Sequence, residues 1–376
     1  MEVKPGYKLT EIGVIPDDWR IKQLKDMFDI RAGGDYQPKH SSLYENDEFR
    51  YPIYANALTN KGLYGFADYF TDDYNSITVT ARGKLGYSVY RDHPYVSIGR
   101  LLTLHPHNKE VNGVFYAEYL NQYVNFIQES TGVPQLTSPQ IGLVVVPLPP
   151  KEEQESISRM LTDIVSLITS LEKLIDKKKN IKQGVMQELL TGKRRLQGFD
   201  KGWETKKLNS LCSCITTGRK DVNEGNPNGK YPFFTCSRSI TFSDQYSFDS
   251  EAILIAGNGD VGTLHYYKGK FEAYQRTYVL SGFGIPAKYL VHYLNYSLIP
   301  ALNENKIGSS IPYIKIGDLT DLLINTPREQ SEISAIVNVL DDMDCEIGAL
   351  SLQLEKCKNL KDGMMQELLT GRIRLL

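Results

Sequence analysis

Gly257-Asn258-Gly259-Asp260-Val261-Gly262 has the spacing G-x-G-x-x-G. Between a strand and a helix, that spacing lets the backbone approach a pyrophosphate. Here a strand-like run, Ala252–Ala256, precedes it, but Thr263-Leu264-His265-Tyr266-Tyr267 reads as another strand where a helix is needed. The related stretch Ala81-Arg82-Gly83-Lys84-Leu85-Gly86 lacks the first glycine and runs into Tyr87-Ser88-Val89-Tyr90. Both are expected as hairpin turns. His105 and His107 share a strand face with no carboxylate or cysteine cluster beside them in sequence, and are expected in a loop or surface role. Asp72-Asp73 and Asp341-Asp342 are expected in a turn and on a helix, as solvated charge rather than acid–base pairs. There is no P-loop, no G-x-S-x-G elbow, no H-E-x-x-H and no Asn/Asp-Pro-Pro-Tyr/Phe adenine-methyltransferase signature. These residues support no catalysis, and no cofactor or metal is expected.

Composition narrows the classes further. The chain has 376 residues, room for two or three domains. Apolar residues make up 41% and charged residues 23%, so each domain can bury a core. A net charge of −2 excludes a globally basic coat, so any nucleic-acid contact must come from local loops. No stretch approaches the roughly 18–20 apolar residues of a membrane span; Leu143–Pro150 is short and closes with prolines. Met1–Arg20 lacks the apolar core of a signal peptide. Cys212, Cys214, Cys236, Cys345 and Cys357 form no C-x-x-C, which predicts a reduced, cytoplasmic protein without disulfides or a zinc site.

The elements that position these residues are written twice. Lys179-Asn180-Ile181-Lys182-Gln183-Gly184-Val185-Met186-Gln187-Glu188-Leu189-Leu190-Thr191-Gly192 returns 179 positions later as Lys358–Gly371. Trp19, Leu24 and Gly34 recur as Trp203, Leu208 and Gly218; Tyr51-Pro52 as Tyr231-Pro232; Gly83 and Gly86 as Gly259 and Gly262. Each half therefore reads as a mixed α/β (α+β) module followed by a long helix. Expected boundaries are 1–150, 151–192, 193–327 and 328–376. Within the modules, Ser76–Ala81 and Ala252–Ala256 are predicted strands, and Val114–Gln128 and Ile285–Asn303 predicted helices.

In the first long helix Ile157, Leu161, Ile164, Ile168, Leu171 and Ile175 alternate by four and three, the seam of a coiled coil. Ile336, Leu340, Met343, Ile347, Leu350, Leu354 and Cys357 do the same in the second. The seam then slips, at Lys178 and Cys357, and resumes at Ile181, Val185, Leu189 and at Leu360, Met364, Leu368. Aligned on Glu153-Gln154 and Glu329-Gln330, the helices differ by about three residues before the Lys-Asn block. A seam of about 35 residues makes an antiparallel rod roughly 50 Å long.

DNA offers equivalent surfaces about 34 Å apart, so two readers on such a rod fit successive grooves. The helices are alike but the modules have diverged: Asn56-Ala57-Leu58 follows one Tyr-Pro where Cys236-Ser237-Arg238 follows the other. Unlike readers imply a split, asymmetric target. The opening Tyr7–Trp19, the P-x-x-E-Q helix starts and the two K-x-x-x-G-x-M-Q-E-L-L-T-G endings make the chain resemble the specificity (S) subunit of a type I restriction–modification system. The resemblance covers nearly the whole chain. It implies two target-recognition domains, antiparallel shared helices, a circular arrangement in which Leu368–Leu376 runs toward the N-terminal segment, and no catalytic residue. It also implies double-stranded DNA, two S-adenosylmethionine-carrying methyltransferase (M) subunits and restriction (R) subunits as partners, and no membrane.

Phosphates need Lys or Arg, and base edges are read by Arg, Lys, Asn, Gln, Ser or Thr. The candidate DNA-binding residues are Arg31, Tyr36, Asn56, Lys61, Arg82, Lys84 and Gln135 in the first module. In the second they are Arg219, Lys220, Ser237, Arg238, Asn258, Gln275, Arg276, Lys306 and Lys315. Arg82 and Asn258 occupy the same glycine turn with different chemistry. Two rival readings stay open here: a stand-alone nucleic-acid methyltransferase or nuclease, and a coiled-coil scaffold without a DNA role.

Overall fold

Short runs of β-branched and aromatic residues, punctuated by Gly, Pro, Asn and Asp, become short strands in both halves of the chain. The computed structural model describes residues 4–126, 135–304 and 313–375. It divides into two units: Met1–Leu171 with Gln353–Leu376, and Glu172–Leu352.

Unit 1 opens with the hairpin β1 (Tyr7–Thr10) and β2 (Gly13–Pro16), then β3 (Arg20–Gln23) and β4 (Phe28–Ala32). There follow β5 (Ser41–Ser42), β6 (Tyr51–Tyr54), β7 (Leu63–Ala67), β8 (Ser76–Val79), β9 (Ser88–Arg91), β10 (Val96–Ser97) and β11 (Leu102–Pro106). Helices α1 (Gly113–Tyr123) and α2 (Ser138–Gly142) precede β12 (Val145–Leu148), which pairs with β3. The main sheet runs β4-β11-β8-β9, and a smaller one β10-β6-β7-β5. Ile77, Val79, Leu102 and Leu104 are buried beneath Phe115, Tyr116 and Leu120 of α1. The Asn112 side chain caps α1 by accepting from the Val114 and Phe115 N–H groups.

The first turns of the long helix α3 (Lys151–Leu189) close this core with Ile157 and Leu161. Met365, Leu368 and Leu369, near the end of the chain, fill the same core. Each buried side chain of this size contributes about 1.5–3 kcal/mol. The circular arrangement is thus built into unit 1: the Tyr7 hydroxyl donates to the Gly371 carbonyl at 3.0 Å.

Unit 2 repeats the plan with β13 (Trp203–Lys207), α4 (Leu208–Leu211), β14 (Cys212–Thr217), β15 (Tyr231–Phe234), β16 (Thr241–Ser243), β17 (Phe248–Ala256), β18 (Leu264–Ala273) and β19 (Thr277–Phe283). Then come α5 (Ala287–Glu304), α6 (Ile316–Thr320), β20 (Leu323–Pro327) and α7 (Gln330–Leu368). Its sheet order, β14-β19-β17-β18, matches β4-β11-β8-β9 strand for strand. One difference has a visible cause. In unit 2, β18 runs on to pair parallel with β15, whereas in unit 1 Asp92-His93-Pro94 interrupts and the short β10 takes that role. The expected strands and module helices are present, but the helix expected over Val114–Gln128 ends at Tyr123, where Val124 turns extended; Ile127 and Gln128 lie outside the described residues. No helix among the described residues is long and apolar enough to cross a membrane.

The long helices correct two expectations. Each has 39 residues, and α7 starts and ends 179 positions after α3. The apparent three-residue difference arose from aligning the two Glu-Gln pairs. The true counterpart of Glu153 is Glu332, because each is gripped by the arginine that follows its helix ending: Glu153 by Arg374 at 2.7 and 2.9 Å, Glu332 by Arg195 at 2.9 and 2.6 Å.

The seam does not slip either. Leu171, Ile175, Lys178, Lys182, Val185 and Leu189 keep the alternation of four and three, with lysines at two seam positions. Ile181 and Leu360, expected inside, are exposed at 43% and 56%. Lys178 reaches Glu346 at 2.6 Å and Lys182 reaches Asp344 at 2.5 Å, so within unit 2 the two helices run antiparallel. Lysine stems cover apolar surface while their ammonium groups find carboxylates at the rim.

Each acidic pair is corrected at one member, since Asp73 and Asp342 are exposed as expected. Asp72 is buried, not solvated. Burial pulls its carboxyl upward, but His105 at 3.0 Å, Ser97 at 2.6 Å and Thr71 at 2.8 Å outweigh this and hold it below the usual aspartate value. His105 is therefore an internal partner rather than a surface group. Asp341 is only half-buried, yet it ties Lys288 and His292 of α5 to α7.

Candidate nucleic-acid interface

Each unit gathers four separate chain segments at one end of its main sheet, beginning with the glycine turn. Between β8 and β9, the Thr80 N–H donates to Tyr87 O at 3.0 Å and the Gly86 N–H to Thr80 O at 2.8 Å. Between β17 and β18, Ala256 N–H donates to Thr263 O and Gly262 N–H to Ala256 O, both at 2.9 Å. Gly83 and Gly86 have φ of +70° and +83°, and Gly259 and Gly262 +62° and +81°, a region that favours glycine. The flanking residues pair antiparallel, Val79 with Ser88 and Ile255 with Leu264. Both turns are hairpins, and the G-x-G-x-x-G is not a strand-to-helix pyrophosphate loop.

The second segment also matches bond for bond. In unit 1 the Gly99 N–H donates to Gly34 O at 2.9 Å and Ile98 N–H to Tyr54 O at 3.0 Å. In unit 2 the Gln275 N–H donates to Lys220 O and Tyr274 N–H to Phe234 O, both at 3.0 Å. Arg100 and Arg276 therefore stand at one equivalent position. Arg276 is among the residues expected from the sequence and Arg100 is not. The available signal was that Arg100 precedes Arg276 by 176 positions, the same offset that relates Gly83 to Gly259.

The third segment precedes α2 and α6. Leu136 N–H donates to Ala81 O at 2.9 Å, setting Gln135 beside Arg82. Ile314 N–H donates to Gly257 O at 2.8 Å, setting Tyr313 and Lys315 beside the Asn258 turn, and the Tyr278 hydroxyl holds Ile314 O at 2.8 Å. The fourth is the loop after Tyr-Pro. The Asn56 amide donates to Gly99 O at 2.7 Å and accepts from Ala81 N–H at 2.7 Å, so it clamps two of the other segments together. Cys236 does this in unit 2 by different means. Its thiol donates to Arg276 O at 3.3 Å and its carbonyl accepts from Asp260 N–H at 3.1 Å.

Among the described residues, Arg82, Lys84 and Arg100 in unit 1, and Arg219, Arg238, Arg276 and Lys315 in unit 2, are exposed and make no ion pair. These cations without an ionic partner lie at one sheet end in loops that also carry the exposed Asp35, Asp221 and Asp260. Asn258 lies in the same unit 2 cluster. Asp260 fixes the Arg238 loop by accepting its N–H at 3.2 Å, beside Ser237, whose hydroxyl meets Ser239 at 3.0 Å.

Other candidates are placed differently. Arg31 pairs with its neighbour Asp29, and Tyr36 packs edge-on against Tyr64. Lys61 lines a groove of about 490 Å³ with Thr162, Val165 and Ser166 of α3, and its carbonyl is held by the buried Arg91. Burial lowers the Arg91 pKa, with Tyr54 opposing, and the guanidinium stacks 3.4 Å from the Tyr54 ring. Lys220 turns inward, toward Ser243 and Gln245 at 3.4 Å and Glu272 at 3.9 Å. Gln275 reaches Asp221 at 3.4 Å. Lys306 lies outside the described residues.

Comparison with known proteins agrees with this plan. The profile described as "Type I restriction modification DNA specificity domain" matches residues 16–183 and 200–356. The type I restriction enzyme EcoDI specificity subunit of Escherichia coli is 37% identical over 168 residues, spanning 45% of this chain and 37% of that protein. A putative type I specificity subunit of Mycoplasma pneumoniae is 23% identical over 333 residues, 85% of this chain and 89% of that one. The crystal structure of a type I restriction-modification system S subunit from M. genitalium shares the fold with a TM-score of 0.69 at 15% identity, covering 97% of this chain and 98% of that chain.

Proposed function

This chain belongs to the type I restriction modification DNA specificity family, and from that premise we propose that its two loop clusters each read one part of a split, asymmetric DNA target. The chain is a specificity subunit, the non-catalytic kind of subunit in such a system. One observation carries the proposal. The same four segments meet at the same sheet end in both units, three held by matching backbone bonds and the fourth by Asn56 or Cys236, yet the turn presents Arg82 in one and Asn258 in the other. A guanidinium forks onto guanine O6 and N7, whereas a carboxamide suits adenine N6 and N7. One frame with unlike reading groups serves unlike half-sites.

The chain then brings catalysis to the site by recruiting two methyltransferase subunits, which carry S-adenosylmethionine and methylate adenine, and restriction subunits. Its place is cytoplasmic, beside chromosomal and invading DNA. The test is protection of a random duplex pool by the chain assembled with its methyltransferase partner. A split motif of two unlike parts is expected. Protection of no defined sequence, or methyl transfer by the chain alone, overturns the reading.

A further inference from the structure

Arg100 and Arg276 are the cationic residues that the two clusters share at one position, whereas the turn residues Arg82 and Asn258 differ. DNA presents the same phosphates at every site and different base edges at each. A duplicated reader that came to recognise two sequences can change its base contacts. It has no reason to change its grip on the backbone. We propose that Arg100 and Arg276 are equivalent phosphate-binding residues that seat each unit on DNA, and that they carry no sequence information. This inference rests on the DNA-reading function and deepens it.

Geometry supports the equivalence. Besides the bonds at Gly99 and Gln275, the Leu101 N–H donates to Ile98 O at 3.2 Å and the Thr277 N–H to Tyr274 O at 2.8 Å. Each arginine thus sits third in a four-residue turn leading into β11 or β19, although the turns differ in backbone: φ is positive at Gly99 and Arg100 and not at Gln275 and Arg276. Both are exposed and lack an acidic partner among the described residues. Asn56 fixes the turn from one side in unit 1, and the Cys236 thiol holds Arg276 O itself in unit 2.

Arg100 has one more property. Its φ is +67°, directly after Gly99 at +66°. A branched-chain-free but long side chain in this region is strained, and glycine would suit the backbone better. The sequence keeps arginine there against that preference, which points to a task for the side chain.

The test uses the full chain assembled with its methyltransferase partner, and two duplexes: one carrying the methylated target and one with the same composition scrambled. Binding is titrated against salt for wild type, Arg100→Gly, Arg100→Lys, Arg276→Ala and Arg82→Ala. Arg100→Gly is chosen because glycine accepts φ +67°, so loss of binding does not reflect loss of fold. Arg100→Gly and Arg276→Ala should weaken both duplexes by the same factor. Each should lower the slope of log affinity against log salt by about 0.9, the value for one phosphate contact. Arg100→Lys should keep the slope, and Arg82→Ala should narrow the gap between target and scrambled duplex. A loss confined to the target duplex, or an unchanged salt slope, overturns the proposal while leaving the DNA-reading function intact. A wild-type complex that binds neither duplex overturns both.

Discussion

Arg374 and Glu153 stand 221 positions apart in the chain and meet in a two-pronged ion pair at 2.7 and 2.9 Å. Glu153 is buried and also accepts the Trp19 indole N–H at 2.8 Å, while Arg374 reaches on to Asp18 at 2.8 and 2.9 Å. The end of the chain is thereby locked to its beginning and to the first turn of α3. Removing the carboxylate leaves the indole N–H unsatisfied and the guanidinium half-paired. Glu153→Ala is therefore expected to destabilise the protein by about 2–4 kcal/mol. Urea denaturation checks this, and a change within about 0.5 kcal/mol would contradict it.

In unit 2 the seam lysines set helix register through Glu346 and Asp344. Asp344 is half exposed, so the pair is worth only about 0.5–1 kcal/mol. A double-mutant cycle on Lys182→Ala and Asp344→Ala should return a coupling of that size, shrinking in high salt. A coupling of zero would mean that the lysine serves only through its stem.

His292 makes the stability of unit 2 depend on pH. It is 4% exposed, beside Asp341 at 3.0 Å and Asp344 at 3.9 Å, with Lys182 and Lys288 bound to those same carboxylates. Burial lowers its pKa below 6.5; Lys182 adds to this and Asp341 opposes it. An unfolded chain therefore takes up a proton, below about pH 6.5, that the folded chain resists. The stability is fully present above that value and is lost as pH falls through the lower folded pKa. Burial would raise the Asp341 pKa, but Lys288 and His292 hold it low, so it adds a loss of the same sign only in stronger acid. Urea midpoints should be lower at pH 5.5 than at pH 7.5, and the difference should narrow in His292→Asn. An equal narrowing in a surface histidine variant such as His40→Asn would contradict the assignment.

The Asn56 amide spends both its polar atoms on the neighbouring segments. Asn56→Asp keeps the acceptor for Ala81 N–H but loses the donor to Gly99 O and sets a charge against that carbonyl. The loosened clamp should cost about 1–3 kcal/mol. It should also weaken discrimination at the half-site read by unit 1 and leave the other half-site unchanged. Competition with duplexes altered in one half at a time checks this, and equal loss at both halves would contradict it.

Much of this was legible in the sequence because it is carried by spacing. The seam from Ile157 to Ile175, the glycine turns at Gly83 and Gly259, and the repeated Thr-Gly helix endings all follow from local periodicity and backbone preference. What stayed hidden depends on partners far along the chain. Lys178 and Lys182 looked like a slip because a lysine at a seam position is recognisable only with the facing carboxylate. Asp72 looked solvated because His105 and Ser97 reach it from other strands. Nothing near Lys220 in sequence announces its inward partners, Ser243, Gln245 and Glu272, which lie on later elements. Arg100 carries no motif of its own; in sequence only its 176-position offset from Arg276 marks it, and the backbone bonds show the match.

The most direct measurement is the pattern of adenine methylation in a cell expressing this chain with its cognate methyltransferase, for wild type and for Arg82→Ala. Wild type should mark one motif of two unlike parts, and Arg82→Ala should relax one part, at a cost of about 1–3 kcal/mol in discrimination, while the other keeps its bases. Marking of a single continuous sequence, or of both parts relaxed together, would contradict an account in which each unit reads its own half.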